Sequence, residues 1–261
     1  MSLASQKDLF AEERRRAILE SAIQEGRVSV SELGQRFGVS EATIRIDLQA
    51  LEDRNLLIRT HGGAVPVISR MHVLSLALRR QQKVIEKKHI GAAAAGLVAN
   101  GDAICLDSSS TTLAMTPHLR NHRDLTIVTN SLAVAQEMLD VPTVTVVMLG
   151  GTLRRETTSL VGIEGLEALR RFNVRKGFFG AHGIAITEGL TDVSVAEAEV
   201  KKHLVAMCHQ VIAVLDATKW GQVGLASFAE LTSVHSVVTN QDAPAQLVEQ
   251  IRSFGIQVIL A

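Results

Sequence analysis

The chain has 261 residues, of which 46% are hydrophobic and 21% are charged, a composition typical of soluble globular proteins. This composition does not indicate disorder, and no apolar run reaches the length of a membrane span. The 27 basic and 27 acidic residues balance, which excludes a strong overall positive field. The start, MSLASQKDLF, lacks the basic flank and apolar core of a signal peptide, and we therefore expect a cytoplasmic protein.

Helical periodicity begins near the start of the chain. A first helix is predicted over about residues 11–25, ended by Gly26. A second helix follows, with Ser31 as its capping residue and with three apolar residues on one face: Val30, Leu33 and Phe37. Gly38 supplies a turn, after which Ser40 can cap a third helix whose buried stripe is Ile44, Leu48 and Leu51.

The third helix leaves a polar face to solvent. Such side chains contact base edges when the start of a recognition helix enters a major groove. A short strand, Leu56–Arg59, and a turn, Thr60–Gly63, then suggest a wing that lies against the DNA backbone or minor groove. The candidate DNA-binding residues are Ser40, Glu41, Thr43, Arg45 and Gln49 on the helix, with Arg59 and His61 on the wing.

We predict a winged helix-turn-helix domain over residues 1–62 and a linker over residues 63–80. Residues 1–70 carry ten basic and ten acidic side chains, so DNA affinity must come from local placement, with one basic edge formed by Arg45, Arg54 and Arg59. Residues 70–90 are clearly basic, and two interpretations stay open: a patch involved in DNA binding, or a solvated helix face. The cations of this run are Arg70, Arg79, Arg80, Lys83, Lys87 and Lys88, set against Glu86.

From Lys83 onward, short β-branched runs alternate with helical segments. This alternation of strands and helices predicts a single α/β domain over residues 81–261 with a mostly parallel sheet. The predicted strands are Ala103–Leu106, Leu125–Val128, Val144–Leu149, Gly177–Phe179, Val211–Leu215 and Ser236–Val238, with Ile256–Leu260 as a possible last one. The predicted helices are Lys83–Ala99, Thr112–Leu119, Leu132–Leu139, Ile163–Arg171, Val195–Met207 and Pro244–Phe254.

Polar or glycine residues follow the predicted strands, where ligands bind in sheets of this kind. Asp107–Thr112 lies between a strand and a helix, so free amides and hydroxyls face an incoming anion and the helix dipole favours negative charge. Ordinary N-capping explains one hydroxyl of this segment, though hardly five in succession. Lys219 follows a neighbouring strand and can pair with a phosphate or with Asp216. These residues predict a phosphate site.

Metal and cofactor sites are not predicted. The chain has two cysteines, Cys105 and Cys208, and both lie in apolar stretches. They are interpreted as small core residues rather than a disulfide, and no metal-ligand spacing is present.

Several sequence blocks then give a family resemblance. VSVSELGQRFGVSEATIRIDLQALEDRNLLIRTHGGA, LDSSSTTLA, TNSLAVA, LGGTLRR, FFGAHGI followed by GLTD, and LDATKWG occur in the order of the signature blocks of DeoR-type bacterial transcription regulators. The chain resembles this family over nearly its whole length. The resemblance implies a DNA-binding repressor of carbohydrate-metabolism genes that answers to a phosphorylated sugar, with a sensor domain similar in fold to ribose-5-phosphate isomerase and glucosamine-6-phosphate deaminase. It also implies a homo-oligomer, dimer or tetramer, on operator DNA with repeated half-sites.

The resemblance also implies residue roles. It places the effector pocket at Asp107, Ser108, Ser109, Ser110, Thr111, Thr112, Asn130, Gly151, Asp216 and Lys219, and a residue coupling the pocket to the DNA-binding domain at Lys87 or Lys88. The chain departs from the family twice. Ser109 or Ser110 stands where the phosphate loop usually has glycine, which leaves the effector's identity open, and Ile46 stands where the recognition helix commonly has a second arginine. Ile46 predicts weaker phosphate contact or a shifted sequence preference.

Two other classes of function stay open. A sugar-phosphate isomerase or deaminase needs a positioned base and acid, for which the available groups are Asp192, Glu197, Glu199 and His182. Glu197 and Glu199 cannot share a helix face, and Glu197 with Lys201 is interpreted as a surface pair, so we do not predict an enzyme. An interaction module that binds another protein is the third class, which DNA footprinting would separate from a regulator.

Overall fold

The structure is a computed structural model that describes residues 3–25, 27–54, 56–60, 62–66, 75–162 and 172–261. The chain divides into two compact units, Met1–His72 and Val73–Ala261. Each unit has its own hydrophobic core.

Among its described residues, the first unit has three helices and a small antiparallel sheet. The elements are α1 (Leu3–Glu25), β1 (Val28–Ser29), α2 (Val30–Phe37), α3 (Glu41–Asp53), β2 (Leu57–Thr60) and β3 (Gly63–Pro66). The strands lie in the order β1-β3-β2, and β2 and β3 form the wing. The core includes the apolar stripe of α3, in which Ile44, Leu48 and Leu51 are buried as predicted. The three-helix and wing architecture is confirmed.

The helix caps of the first unit agree with the sequence in one case and correct it in the other. Ser40 caps α3, because its Oγ accepts a hydrogen bond from the amide of Thr43 at 3.2 Å. The cap of α2 is Ser29, whose Oγ accepts from the amide of Glu32, and Ser31 lies inside the first turn. The prediction of Ser31 as the cap was therefore wrong. Gly38 ends α2 with a φ of 63°, a left-handed conformation that favours glycine.

The second unit is built on a parallel sheet of seven strands. In chain order they are β4 (Ala103–Leu106), β5 (Leu125–Thr129), β6 (Val144–Met148), β9 (Val174–Phe179), β12 (Cys208–Val214), β14 (Ser236–Thr239) and β15 (Gln257–Leu260). Smaller elements are the hairpin β7 (Thr152–Arg154) and β8 (Ser159–Val161), and an antiparallel sheet of β10 (Gly183–Ala185), β11 (Gly189–Asp192) and β13 (Ala226–Ala229). The helices are α4 (Leu76–Gln81), α5 (Val84–Ala95), α6 (Ser110–Leu113), α7 (Thr116–Leu119), α8 (Leu132–Met138), α9 (Val195–Ala206) and α10 (Ala245–Ser253).

All seven predicted strands are present, including the possible last one. The predicted helix Thr112–Leu119 is instead two short helices, α6 and α7. Pro117 has no amide hydrogen to donate to the carbonyl of Leu113, and the hydroxyl of Thr116 donates to that carbonyl at 2.8 Å. The predicted helix Ile163–Arg171 lies outside the described residues. The proposed linker, residues 63–80, contains β3 at one end and α4 at the other.

The strand order predicts a crevice at the carboxyl end of the sheet. The order is β15-β14-β12-β9-β4-β5-β6, so the chain runs outward from β4 through β5 and β6, then returns to β9 on the other side of β4. Ligands of open parallel sheets bind where the strand order reverses, beyond the carboxyl ends of the strands. Here that point lies between β4 and β9, which are followed by Asp107 and Gly180. Within the described ranges, no helix is long and apolar enough to cross a membrane.

Candidate functional site

The outer face of α3 presents the predicted DNA-binding side chains. Glu41 and Arg45 are exposed and form an ion pair one helical turn apart, with 2.9 Å between Arg45 Nη2 and Glu41 Oε2. Gln49 donates to Asp53 Oδ1 at 2.9 Å and accepts a hydrogen bond from the guanidinium of Arg59 on β2. Exposed pairs of this kind contribute about 0.2–1 kcal/mol, so DNA phosphates or bases can replace them at little cost. His61 lies outside the described residues.

Ile46 lies on the same outer face and is 64% exposed. An apolar side chain of this size gains nothing from water and can donate no hydrogen bond to a phosphate. The residue that departs from the family pattern is therefore exposed on the face that carries the predicted DNA-binding side chains.

A buried ion pair behind this face was missed by the sequence analysis. Asp47 is 1% exposed and accepts hydrogen bonds from Arg14 Nε at 2.5 Å and from Arg15 Nε at 2.9 Å. These bonds join α1 to α3, so the orientation of α3 depends on a charge that does not itself face solvent. The signal was available: Asp47 falls beside Ile44, Leu48 and Leu51 on the buried side of the helix.

In the second unit, Asp107 organises the loop after β4. Its Oδ1 accepts from the amide of Ser109 at 3.0 Å and from the hydroxyl of Thr112 at 2.9 Å. Its Oδ2 accepts from the amide of Gly180 at 3.0 Å and lies 3.0 Å from the ammonium of Lys201. Asp107 is completely buried, and protein groups use both of its oxygens. These bonds hold the predicted phosphate loop in its conformation. We call Asp107 and the groups bonded to it the frame of that loop.

Lys201, on α9, is the centre of this frame and was not among the predicted site residues. Its ammonium contacts Asp107 at 3.0 Å and Asp192 at 2.8 Å, donates to the carbonyl of Gly180 at 2.8 Å, and lies 4.9 Å from the ring centroid of Phe228. Burial alone would lower the pKa of Lys201, but the two carboxylates outweigh it and raise that pKa above its ordinary value. Lys201 is therefore held protonated and cannot act as a neutral amine nucleophile.

Glu197 and Lys201 do not form the predicted surface pair, and that prediction was wrong. Both residues are buried. Glu197 accepts hydrogen bonds from three hydroxyls, at 3.0 Å from Ser108, 2.8 Å from Thr157 and 2.6 Å from Ser159. A spacing of four residues fits a buried face as well as a surface pair, and only the position of Leu204 three residues after Lys201 marks this face as internal.

The five hydroxyls of the Asp107–Thr112 loop fall into two groups: three that bond to protein groups, of which Ser108 donates to Glu197, and two that do not. Ser109 and Thr112 bond within the loop: Ser109 Oγ caps α6 by accepting from the amide of Thr112 at 3.1 Å. Ser110 and Thr111 form the first turn of α6, where the amides precede any intrahelical acceptor. Within the described part of the chain, their hydroxyls make no hydrogen bond. The groups free to meet an anion are therefore those of Ser110 and Thr111.

Ser109 is one of the two serines predicted to stand where the family usually has glycine. Its backbone is extended, with a φ of −78°, so the position does not require glycine. The tight fit is with Gly180 at the end of β9. A side-chain carbon added at Gly180 would lie 2.4 Å from both Cβ and Oγ of Ser109, which no real contact allows.

Asn130 and Gly151 follow the two strands on the other side of β4. Asn130 is completely buried, and its Nδ2 donates to the carbonyl of Leu160 at 3.2 Å. Its Oδ1 is buried and has no hydrogen-bond partner among the described residues. Gly151 has a φ of 137° and packs against the backbone of Val161, so its role there is close backbone packing within the β7–β8 region.

Asp216 and Lys219 follow β12, on the β9 side of the crevice. Asp216 Oδ1 accepts from the amide of Thr218 at 3.0 Å and so caps the short turn Ala217–Lys219. Lys219 forms no ion pair with Asp216, and its ammonium has no partner within the residues that the structure describes. The sequence predicted that Lys219 pairs with a phosphate or with Asp216. Since the pair with Asp216 is not formed, the phosphate is the partner that stays a prediction. The neighbouring Trp220 is buried, and its Nε1 donates to the hydroxyl of Thr239 at 3.1 Å.

The two candidate coupling lysines have different environments. Lys88 is exposed, whereas Lys87 is buried and donates to the carbonyls of Arg79 at 2.6 Å and Gln82 at 2.8 Å. Burial lowers the pKa of Lys87 to about 8, although Asp216 partly opposes this shift. Neither interpretation of the basic run fits Lys87, because it is neither a solvated residue nor one that DNA could reach.

The comparisons with known proteins agree with this architecture. A family model described as the DeoR C terminal sensor domain matches residues 82–241, and one described as the DeoR-like helix-turn-helix domain matches residues 14–70. Among solved structures, ribose 5-phosphate isomerase A from Methanocaldococcus jannaschii aligns with a TM-score of 0.38 and 16% identity, over 51% of this chain and 53% of that one. A likeness at this level carries no argument about activity.

Curated relatives align over nearly the whole chain. The HTH-type transcriptional regulator GolR of Listeria innocua is 32% identical over 97% of this chain and 100% of its own length. The HTH-type transcriptional repressor GlcR of Bacillus subtilis is 31% identical over 97% of each chain. The glycerol-3-phosphate regulon repressor of Escherichia coli is 29% identical over 95% of this chain and 98% of its own. These relatives are transcriptional regulators and not enzymes, and the chain belongs to the DeoR family of transcriptional regulators.

Proposed function

We propose that this protein is a cytoplasmic repressor whose affinity for operator DNA is lowered by a phosphorylated sugar bound at the carboxyl end of the parallel sheet. The names of two relatives support repression, one of them of a glycerol-3-phosphate regulon. The first unit contacts DNA through the outer face of α3 and the wing. The second unit binds the effector and associates as a dimer or tetramer, which places several first units on repeated half-sites.

The observation that carries this proposal is the unpaired carbonyl oxygen of Asn130. Because the carbonyl of Leu160 can only accept, the amide nitrogen of Asn130 must face it, and Oδ1 must face the other way. A buried acceptor without a donor costs about 1–3 kcal/mol, so such groups in native proteins call for a partner. A sugar hydroxyl supplies the missing donor.

The other side of the crevice supplies the complementary groups. The amides and hydroxyls of Ser110 and Thr111 are donors, and the unpaired ammonium of Lys219 adds a positive charge. A ligand that satisfies both sides needs an anionic group at one end and a hydroxyl at the other. A phosphorylated sugar meets this description, whereas a free sugar or inorganic phosphate meets only half of it.

Repression and effector binding are then linked thermodynamically. If the effector favours arrangements that bind DNA poorly, operator DNA must lower the protein's affinity for the effector by the same factor. Fluorescence of the single tryptophan, Trp220, offers a direct signal because it adjoins Lys219 in sequence.

A thermal-shift screen tests the proposal. We expect a phosphorylated sugar to raise the melting temperature at concentrations where its unphosphorylated form does not, because a ligand selective for the folded state stabilises it. The same compound should release a footprinted operator that contains repeated half-sites. Asn130→Leu should lower the affinity for the phosphorylated sugar and leave the response to inorganic phosphate unchanged. Lys219→Ala should lower the affinity for both ligands by about tenfold.

Three results would contradict the proposal. The first is a full panel of phosphorylated sugars without effect on stability or DNA binding. The second is loss of DNA binding in a folded, unliganded Lys219→Ala protein, since Lys219 is assigned to the effector alone. The third is absence of any footprint, which would favour an interaction module that binds protein. Lys202→Ala is the control, because Lys202 is an exposed lysine on α9.

A further inference from the structure

Arg79 is a half-buried cation that the proposed function has not used. It lies on α4, the first helix of the second unit, and its Nε and Nη2 atoms are buried without a hydrogen-bond partner among the described residues. Native proteins contain few such groups, and a guanidinium can neither rotate its donors away nor lose its charge easily. A buried guanidinium with two open donors therefore indicates an acceptor that is not part of the described chain.

The surroundings of Arg79 show which groups could have paired with it. The carboxylates of Asp107, Asp192 and Glu197 are close enough to attract its charge. Each of them is already engaged: Asp107 and Asp192 with Lys201, and Glu197 with three hydroxyls. The net effect of burial and these attractions is a lowered pKa of Arg79, which means that its buried charge is unfavourable in the protein as it stands.

The helix that carries Arg79 is fixed at both ends to parts of the candidate site. Its first amide, that of Leu76, donates to the carbonyl of Glu156 in the β7–β8 hairpin at 2.7 Å. At its other end, Lys87 donates to the carbonyls of Arg79 and Gln82. In between, α4 packs against α6, the helix that begins with Ser110 and Thr111. The helix that carries Arg79 therefore lies beside the predicted phosphate loop.

We infer that Arg79 binds the anionic group of the effector together with the first turn of α6, and that α4 is the element through which occupancy of the site is transmitted toward the DNA-binding unit. This inference rests on the proposed function and names a residue and a route for it. A guanidinium and a phosphate match in charge and geometry, since two parallel N–H groups meet two oxygens. A phosphate at Arg79 satisfies the open donors and neutralises a charge that is otherwise unfavourable.

The route follows from the order of the chain. Helix α4 is the first described element after residues 67–74, which lead from the wing into the second unit. An anion that draws Arg79 toward α6 changes the position of α4, and α4 is held at its end by Lys87. Lys87 then acts as a positioning residue for α4, because it bonds to the backbone carbonyl of Arg79 itself.

The test compares two neighbouring arginines of α4. Arg79→Met removes the buried guanidinium and keeps an apolar chain of similar length, whereas Arg80→Met removes an exposed guanidinium that pairs with Glu137. The probe is inorganic phosphate, with chloride at equal ionic strength as its control. We expect Arg79→Met to melt no lower than the wild type without phosphate, and to lose the stabilisation by phosphate with an affinity about tenfold weaker or more. Arg80→Met should respond to phosphate as the wild type does.

A structural role for Arg79 predicts the opposite pattern. If Arg79 serves only as a counter-ion for the three carboxylates, Arg79→Met will melt lower and will still be stabilised by phosphate, and that outcome would overturn the inference. For the route, the Arg79→Met protein should bind operator DNA like the wild type and resist release by the phosphorylated sugar found in the screen. Release equal to that of the wild type would also overturn it.

The two proposals fail in different ways. If the wild-type protein responds to no phosphorylated sugar, the proposed function is wrong. If the wild type responds and Arg79→Met responds equally, the proposed function stands and the role of Arg79 falls.

Discussion

The two units each contain a buried aspartate paired with cations, and they use it differently. In the first unit, Asp47 lies behind the functional face and fixes α3 to α1, while the side chains that would contact DNA make exposed and exchangeable pairs. In the second unit, Asp107 lies within the candidate site, and each of its carboxylate oxygens contacts two protein groups. The comparison teaches that a polar residue in a ligand-binding loop can be part of the frame rather than of the ligand contact.

The strongest test of this comparison is Lys201→Met. Removing Lys201 leaves Asp107 and Asp192 buried without their cation, and breaking a buried pair in this way costs about 3–5 kcal/mol. Urea denaturation should show this loss in the second unit. Lys202→Met, one residue along the same helix, changes an exposed side chain and should shift stability by about 0.5 kcal/mol or less. Similar effects of the two changes would mean that Lys201 is not the centre of the frame.

The pH dependence of stability tests the second unit at Lys87. Its pKa is about 8 in the folded protein and about 10.5 as a free side chain, so between these values the unfolded chain binds more protons at this group. The contribution of Lys87 to the free energy of unfolding must therefore rise with pH across that window, by about 3 kcal/mol in total, because deprotonation removes the buried charge.

The matched variants for this measurement are Lys87→Met and Lys88→Met. Denaturation at several pH values between 8 and 10 should show a flatter profile for Lys87→Met than for the wild type. Lys88 is exposed, so its removal should leave the wild-type slope in place. Equal slopes for all three proteins would place the wild-type Lys87 ammonium in water rather than in the interior.

In the first unit, Asp47→Asn should lower stability by about 2 kcal/mol, because two charge-assisted hydrogen bonds from Arg14 and Arg15 are weakened. The comparison with Asp107 predicts a second effect. Asp47→Asn should also weaken DNA binding, since α3 loses its fixed orientation, although Asp47 touches no DNA. Asp53→Asn at the exposed end of α3 is the control for stability. Unchanged DNA affinity in Asp47→Asn would limit Asp47 to a purely stabilising role.

The smallest expected effect is that of Ile46→Arg. The change adds a cation to an exposed position on α3 and should steepen the dependence of operator affinity on salt by about one phosphate contact. Affinity measured at several salt concentrations gives this slope directly. Gln35→Arg, on the exposed side of α2, tests whether any added cation in the first unit has the same effect. No change in slope for Ile46→Arg would place residue 46 away from the DNA backbone.

Sequence patterns predicted the fold better than they predicted the roles of charged residues. The seven strands and the helices of the first unit follow from apolar periodicity, which reports burial directly. Glu197 and Lys201 could not be placed in this way, because the same spacing of four residues suits a surface pair and a buried face. Arg79 was found only as one cation in a basic run, since the partners that it lacks are defined by contacts distant in sequence. Burial of a charge depends on tertiary packing, and no local pattern records it.

The contact between Ser109 and Gly180 has a consequence for how the family pattern can vary. The two positions, 71 residues apart by number, share one small volume at the point where the sheet reverses its strand order. A larger residue at one of them requires a smaller residue at the other. Ser109 and Gly180 are therefore complementary in size. A glycine at position 109 would leave room for a side chain at position 180, so exchange of both residues together can change the shape of this region without loss of the fold.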